Sequence, residues 1–247
     1  MLEPCVNQAA GLQSLALQQL PRLIAVTSHG QQQGEMPLLW GLCTSWVSMD
    51  LSVMVLDGHT TETQQNPGLA QLLTNPLSRQ PDDDNPVSWS VMPAAQGLAD
   101  LSADGFLASS VGELFKAYAV VLVYADADRV TQLLTGCALA PLLVVPPAQT
   151  AAVSAYRALK HLLVVGQLRP TVANIVPDTL TTMSLPPSSP AQHLMDCASN
   201  YLGYSVKPLT ITASSRAERS QEDMTRLAMQ LLESAVPLER KPIERVH

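Results

Sequence analysis

The sequence has little of what marks a membrane, secreted or nucleic-acid-binding protein. No apolar run approaches the roughly 18 residues that a membrane-spanning helix needs. The opening MLEPCVNQAA has neither the basic n-region nor the apolar h-region of a signal peptide. These absences lead us to expect a soluble, cytoplasmic protein. Positive charge is sparse: 14 Lys and Arg against 21 Asp and Glu, a net charge of −7 and a pI near 5.1. The basic residues are scattered, which argues against nucleic acid as a partner, since binding its backbone needs a clustered cationic face. Cys5, Cys43, Cys137 and Cys197 lie far apart with no CxxC pair, so neither a zinc site nor a disulfide framework is expected. Free, mostly buried thiols fit a reducing compartment. Aromatic residues make up only 4%, so the core must be built from Leu, Val, Ala and Met, with 19 prolines stiffening the loops.

What is present suits one α/β domain. A chain of 247 residues that is 47% hydrophobic can bury a substantial core. Short β-branched runs at 23–27, 51–57, 87–92, 119–124, 142–145, 170–176 and 204–212 read as strands. Between them, 38–47, 69–73, 103–118, 129–134, 150–165, 191–202 and 215–232 carry helical spacing. Asp128 is a candidate cap for 129–134, Thr150 for 150–165, and Ser214 or Ser215 for the last helix. Alternation of this kind implies right-handed crossovers and a three-layer domain, with a mostly parallel twisted sheet between helices on both faces. Residues 1–20 precede this domain, 21–236 form it, and 237–247 make a polar tail. Within 5–20, Leu12, Leu15, Ala16 and Leu20 share a helical face. This segment is either a helix docked on the domain or a peptide offered to a partner.

The central stretch is 22–40, RLIAVTSHGQQQGEMPLLW. It has the layout of a phosphate-binding strand, loop and helix: an apolar strand, a loop bracketed by Gly30 and Gly34, and Pro37 in the first helical turn. It lacks the residues that bind phosphate. In a working P-loop a Lys neutralises the phosphates and a Ser or Thr hydroxyl holds Mg²⁺. Here those positions read Glu35 and Met36. A carboxylate repels phosphate, and a thioether is no ligand for Mg²⁺. From these residues alone, an ordinary strand, turn and helix that never bound a nucleotide fits equally well. Asp57 ends a strand at the position where α/β sheets bind ligands, or simply caps the next turn.

Beyond 22–36, the segments ALAPLLVVPPAQTAAVSAYRALKHL and SVMPAAQGLADL carry a resemblance. The chain resembles the MinD/ParA group of deviant P-loop ATPases, and within it the FlhG (FleN) regulators of flagellar number and placement. Residues 22–36 are similar to that family's strand and deviant Walker A, VIAVTSGKGGVGKT in general form, and Pro146, Ala155, Tyr156 and Lys160 match its later helix. The stretch from Asn7 to Gln13 is similar to the DQAxxLR element through which FlhG engages the GTPase FlhF; Gln8 and Leu12 are kept, while Asn7 and Gln13 depart. The resemblance places the family's signature Lys on Gly30 and its Walker B acid on Tyr124, with Asp126 two residues on. It places the family's catalytic or switch Asp on Asp57 and its adenine-contacting Asn on Asn174.

The departures imply a degenerate nucleotide site at Gly30, Gly34, Glu35, Met36, Asp57, Asp126 and Asn174, with no catalytic residue, cofactor or metal, and a pseudo-ATPase kept as a protein-binding surface. By resemblance the partner is an FlhF-like GTPase, a flagellar switch component or a regulator, and a pilus or secretion machine is equally compatible. Partner-binding residues would be Asn7, Gln8, Leu12 and Gln13. The chain would be a monomer or a nucleotide-independent dimer, recruited to a membrane or cell pole only through a partner. Direct insertion is not expected, because 223–236 carries Leu227, Leu231 and Leu232 as a core-facing stripe. Two enzymatic alternatives remain: an ATPase using Asp57, Asp126 and Asn174 with a cation supplied in trans, and a Ser/His hydrolase using Ser28 and His29, or Asp57 and His59. The second lacks a GxSxG elbow.

Overall fold

The computed structural model describes residues 20–76, 88–148, 150–177, 189–213 and 218–238. Its frame is a sheet whose strands are β1 (Arg22–Ser28), β2 (Val53–Asp57), β3 (Trp89–Pro93), β4 (Val120–Asp126), β5 (Leu142–Val145), β6 (Thr171–Pro177) and β7 (Leu209–Ala213), in the order β3-β2-β4-β1-β5-β6-β7. All of these pair in parallel. A short β8 (Val236–Pro237) runs antiparallel to the start of β1.

The continuous apolar runs of β1, β2 and β4 follow from burial on both faces. Ile24, Val26, Val53, Val55, Leu122 and Tyr124 face one side, and Leu23, Ala25, Met54, Leu56, Val121 and Val123 face the other. The first side is covered by α1 (Gln32–Val47) and by α9 (Glu218–Ser234). The second is covered by α2 (Leu69–Thr74), α3 (Ala95–Asp100), α4 (Ala103–Phe106), α5 (Ser109–Leu114), α6 (Ala127–Leu134), α7 (Ala151–Val164) and α8 (Pro190–Leu202). The three-layer, mostly parallel architecture expected from the alternating pattern is the one observed.

Several local expectations are corrected. Helix α1 begins at Gln32, so Gly34 lies in its first turn and not in a loop, and Pro37 is inside the helix. The stripe Leu38, Leu39, Leu42, Cys43 and Trp46 is buried as its spacing requires, and the Trp46 indole N–H donates to the Ala228 carbonyl at 3.1 Å, tying α1 to α9. The single helix expected over 103–118 is two short ones, and the connection expected before it contains α3. Gly105, Ser109, Ser110 and Gly112 are poor helix-interior residues, and Ala108 is extended between α4 and α5. Phe106, Leu107, Val111 and Phe115 are nonetheless all buried, so the periodicity reported a buried side correctly while overstating the length of the helix. Asp126, not Asp128, caps α6, accepting from the Arg129 N–H at 2.7 Å. Thr150 makes no side-chain cap to α7. Ser214 and Ser215, and the tail beyond Leu238, lie outside the described residues. Of the described cysteines only Cys43 is fully buried, and burial pushes its thiol up to about 12; Cys137 and Cys197 are partly exposed.

The chain past 236 joins the domain, because Leu238 is fully buried and its N–H donates to the Pro21 carbonyl at 2.8 Å. Leu238→Ala should therefore destabilise the protein by about 2–4 kcal/mol, as deletion of a buried leucine does. Urea unfolding monitored by circular dichroism checks this; a loss below about 0.5 kcal/mol, the range of ordinary surface substitutions, would show that the C-terminal strand contributes little.

Candidate functional site

The site sits where β1 ends and α1 begins, next to the C-terminal end of β4. Only His29, Gly30 and Gln31 separate Ser28 from the first helical residue. Gly30 occupies the left-handed region at φ +88°, which a residue with a Cβ adopts at a cost. The amides of Gly34 and Glu35 both donate to the Gln31 carbonyl, winding residues that a phosphate-binding loop would hold open into the first helical turn. Gly34 is glycine for a packing reason: a Cβ there would lie 2.4 Å from the Pro146 Cβ. Met36 lies against the α1 side of the core.

Glu35 is completely buried and points at the sheet. The Tyr124 hydroxyl donates to its Oε2 at 2.6 Å, and the His29 backbone N–H donates to its Oε1 at 3.2 Å. The Tyr124 hydroxyl also lies 3.4 Å from the Ser28 Oγ. Burial, with the Glu35 hydrogen bond and charge added, drives the Tyr124 phenol well above its ordinary value, so it stays a donor. The His29 ring, 1% exposed, lies between β5 and α7. Its Nε2 is 2.6 Å from the Val144 carbonyl, which can only accept, so Nε2 carries a proton; Nδ1 is 2.8 Å from the Ser154 Oγ. The Glu35 Oε1 is 3.4 Å from the same Nε2. A carboxylate, a phenol, an imidazole and two serine hydroxyls thus form one network linking β1, α1, β4, β5 and α7.

The remaining sequence-identified residues are placed differently. Asp57 is turned into its own loop, accepting from the His59 N–H at 2.9 Å and the Thr60 hydroxyl at 2.6 Å. The His59 ring meets Tyr124 edge-on at 4.9 Å, which connects this loop to the network. Asp126 is exposed and occupied in capping α6. Asn174 is 3% exposed, and its side-chain amide nitrogen has no partner among the described residues. Asn7, Gln8, Leu12 and Gln13 lie outside the described residues. Among the described residues, no group of three or more His, Cys, Asp or Glu is arranged to hold a metal ion.

Sequence reasoning missed the role of His29, Tyr124 and Ser154 as mutual partners. The available signal was chemical complementarity: a carboxyl acceptor at the start of α1 and a phenol donor near the end of the neighbouring strand β4 belong together. Glu62 was also missed. Its carboxylate accepts from Gln96 N–H at 2.7 Å, Gly97 N–H at 2.8 Å and Ala70 N–H at 3.2 Å, joining the starts of α2 and α3.

No protein-family model and no curated protein matches the chain in sequence. Solved structures do match it in fold. A MinC:MinD cell division protein complex from Aquifex aeolicus aligns with a TM-score of 0.56 at 15% identity, covering 88% of this chain and 98% of that one. A ParA family ATPase from Chlorobium tepidum aligns at 0.51 and 12% identity, covering 87% and 96%. Cobyrinic acid a,c-diamide synthase from Mycobacterium smegmatis, with bound ADP and magnesium, aligns at 0.50 and 15%, covering 87% and 95%. The fold is that of the MinD/ParA ATPases. The first turn of α1 offers phosphate a carboxylate, and the facing strand residue is a phenol already bonded to it.

Two outcomes follow from this geometry. Tyr124→Phe removes the donor to a buried carboxylate and should cost about 1–3 kcal/mol of stability, read by denaturant unfolding; an unchanged midpoint would show that Glu35 finds another donor. For Glu62, burial alone would raise the pKa, but the amides of Gln96, Gly97 and Ala70 more than offset it and hold the carboxyl below its ordinary value of 4.5. Its contribution is therefore present above about pH 4.5 and lost as the pH falls through the lowered value. Glu62→Gln should lower thermal stability at pH 7, and the gap to the parent protein should narrow under acid conditions.

Proposed function

We propose that this chain is a nucleotide-independent member of the MinD/ParA fold: a pseudo-ATPase that acts as a protein-binding regulator or scaffold in the positioning or assembly of a flagellar, pilus or secretion machine. The observation that carries the reading is the buried bond between Glu35 and Tyr124. A triphosphate needs a cation where Glu35 lies and an acid with a metal where Tyr124 lies. To enter, it would have to break that bond and meet a desolvated negative charge. Each charge-assisted contact forgone is worth roughly 1.5–3 kcal/mol, so losing several weakens binding by orders of magnitude.

The regulatory half of the reading draws on fold and sequence together. One of the similar structures is MinD in complex with MinC, and the Gln8 and Leu12 pattern resembles the element by which FlhG engages a GTPase. The partner we favour is an FlhF-like GTPase, with a flagellar switch component or a transcriptional regulator as the other candidates, met through Asn7, Gln8, Leu12 and Gln13.

Calorimetry with Mg-ATP should give no binding heat at micromolar concentrations, and phosphate release should stay at the buffer rate with or without partner. Binding in the low micromolar range would overturn the pseudo-ATPase reading. Capture of an FlhF-like GTPase by the full chain, lost on Gln8→Ala with Leu12→Ala, is the expected result for the partner. Equal capture by the substituted chain would remove the N-terminal element from the interaction.

A further inference from the structure

A serine, an imidazole and a carboxyl group stand in series where the β1–α1 turn meets α7. The Ser154 Oγ, in the first turn of α7, is 2.8 Å from the His29 Nδ1, and the His29 Nε2 is 3.4 Å from the Glu35 Oε1. That is the order of a nucleophile, its base and the acid that steadies the base. The pairing read from the sequence, Ser28 with His29, is not the one assembled. The Ser28 hydroxyl lies toward Tyr124 and the Gly30 amide, while the serine that meets His29 comes from 125 positions away.

The hydrogen bonds fix which nitrogen is the base. The Val144 carbonyl, 2.6 Å from Nε2, can only accept, so Nε2 holds the proton of the neutral ring and Nδ1 presents a lone pair. The Ser154 hydroxyl has one proton to give; the Ala151 carbonyl competes for it at 3.2 Å, and Nδ1 is nearer. A ring that takes this proton turns positive between the Val144 carbonyl and the Glu35 carboxylate. Tyr124 and the His29 amide hold that carboxylate in place, which makes Glu35 a positioning residue. The three groups also differ in access. Glu35 and the His29 ring are buried, whereas Ser154 is partly exposed. The chain beside the pair is open: Gly30, next to His29, is exposed with nothing within 4 Å of where a Cβ would stand, and Val153, next to Ser154, is 59% exposed.

We propose that Ser154 is a covalent acyl-acceptor site, with His29 as its general base, for small activated carboxylic esters or thioesters. The Ser154 Oγ attacks the carbonyl carbon as its proton passes to the His29 Nδ1. The new Oγ–C bond replaces the bond to the leaving alkoxide or thiolate, which departs with the proton released from Nδ1. A single base suits a leaving group of this kind better than the amine of an amide, which must be protonated before it can leave. The product is an acylated serine formed in one turnover. This inference goes beyond the proposed function and does not depend on nucleotide binding.

The test incubates the full chain with p-nitrophenyl acetate, follows nitrophenolate release and maps the acetyl group by peptide mass spectrometry. The expected result is acetyl on Ser154, formed roughly 10²–10⁴-fold faster than in the same chain unfolded in urea, the range of general-base assistance. Ser154→Ala should abolish this fast phase, and His29→Gln should bring it down to the rate in urea, with circular dichroism verifying that each variant is folded. Glu35→Gln keeps the shape and an acceptor oxygen but not the charge. It should lower the limiting rate roughly tenfold to a hundredfold, the worth of one charge-assisted contact, while the half-saturating ester concentration stays unchanged; a merely structural role would move both. Acetyl groups on lysines alone would overturn the proposal, as would Ser154 acetylated no faster in the folded chain than in urea. An unchanged limiting rate in the Glu35→Gln variant would overturn the positioning role of Glu35.

Discussion

The structure around the site depends on one buried carboxylate and the groups that satisfy it. Glu35 has no access to water, and a charge in that position persists only when donors surround it. Tyr124 and the His29 amide supply them. Removing either partner leaves the other stranded, so the pair holds β4, the β1–α1 turn and the start of α1 in one arrangement. The His29 ring extends the constraint across β5 to Ser154 in α7. The carboxyl group is thus satisfied from within the protein, at the first turn of a helix that begins at Gln32.

A second constraint operates one strand away. Asp57 and Glu62 bound the loop after β2, and each is satisfied locally: Asp57 by His59 and Thr60, Glu62 by the starts of two short helices. A Cβ on Gly68 would collide with the Pro93 carbonyl and the Glu62 side chain, and one on Gly97 with Leu69. The loop is therefore locked by close backbone approach as well as by charge. His59 against Tyr124 is the contact through which this loop and the Glu35 network touch.

Much of the fold was legible in the sequence because it is written in burial. Strands covered on both faces must be continuously apolar, and β1, β4 and β5 are; helices on a sheet must show one stripe, and α1 shows it in Leu38, Leu39, Leu42, Cys43 and Trp46. Boundaries were less legible. Gln31 to Gln33 read as loop because glycines flanked them, yet the helix begins at Gln32, since residues free of positive φ wind readily into a helical turn. The broken helix over 103–118 went unseen because the interruption at Leu107 and Ala108 leaves the buried pattern undisturbed. At the site, the sequence marked Glu35 and Tyr124 separately but not their pairing. Glu35 read as a repulsive charge facing an absent phosphate; in three dimensions it is an acceptor facing a tyrosine. That pairing spans 89 positions, and no local spacing rule reaches so far.

The short antiparallel strand β8 has a separate effect on the chain's connectivity. By pairing Val236 with Leu23 and bonding Leu238 to Pro21, it brings residues 21 and 238 within a hydrogen bond of each other. They meet at the start of β1, at the opposite end of that strand from His29. The stretch from 21 to 238 is thus nearly a closed circle, in which these two points could be spliced by a brief linker and new ends opened elsewhere without redrawing the sheet. A splice there would lie at the opposite end of β1 from His29 and the buried Glu35.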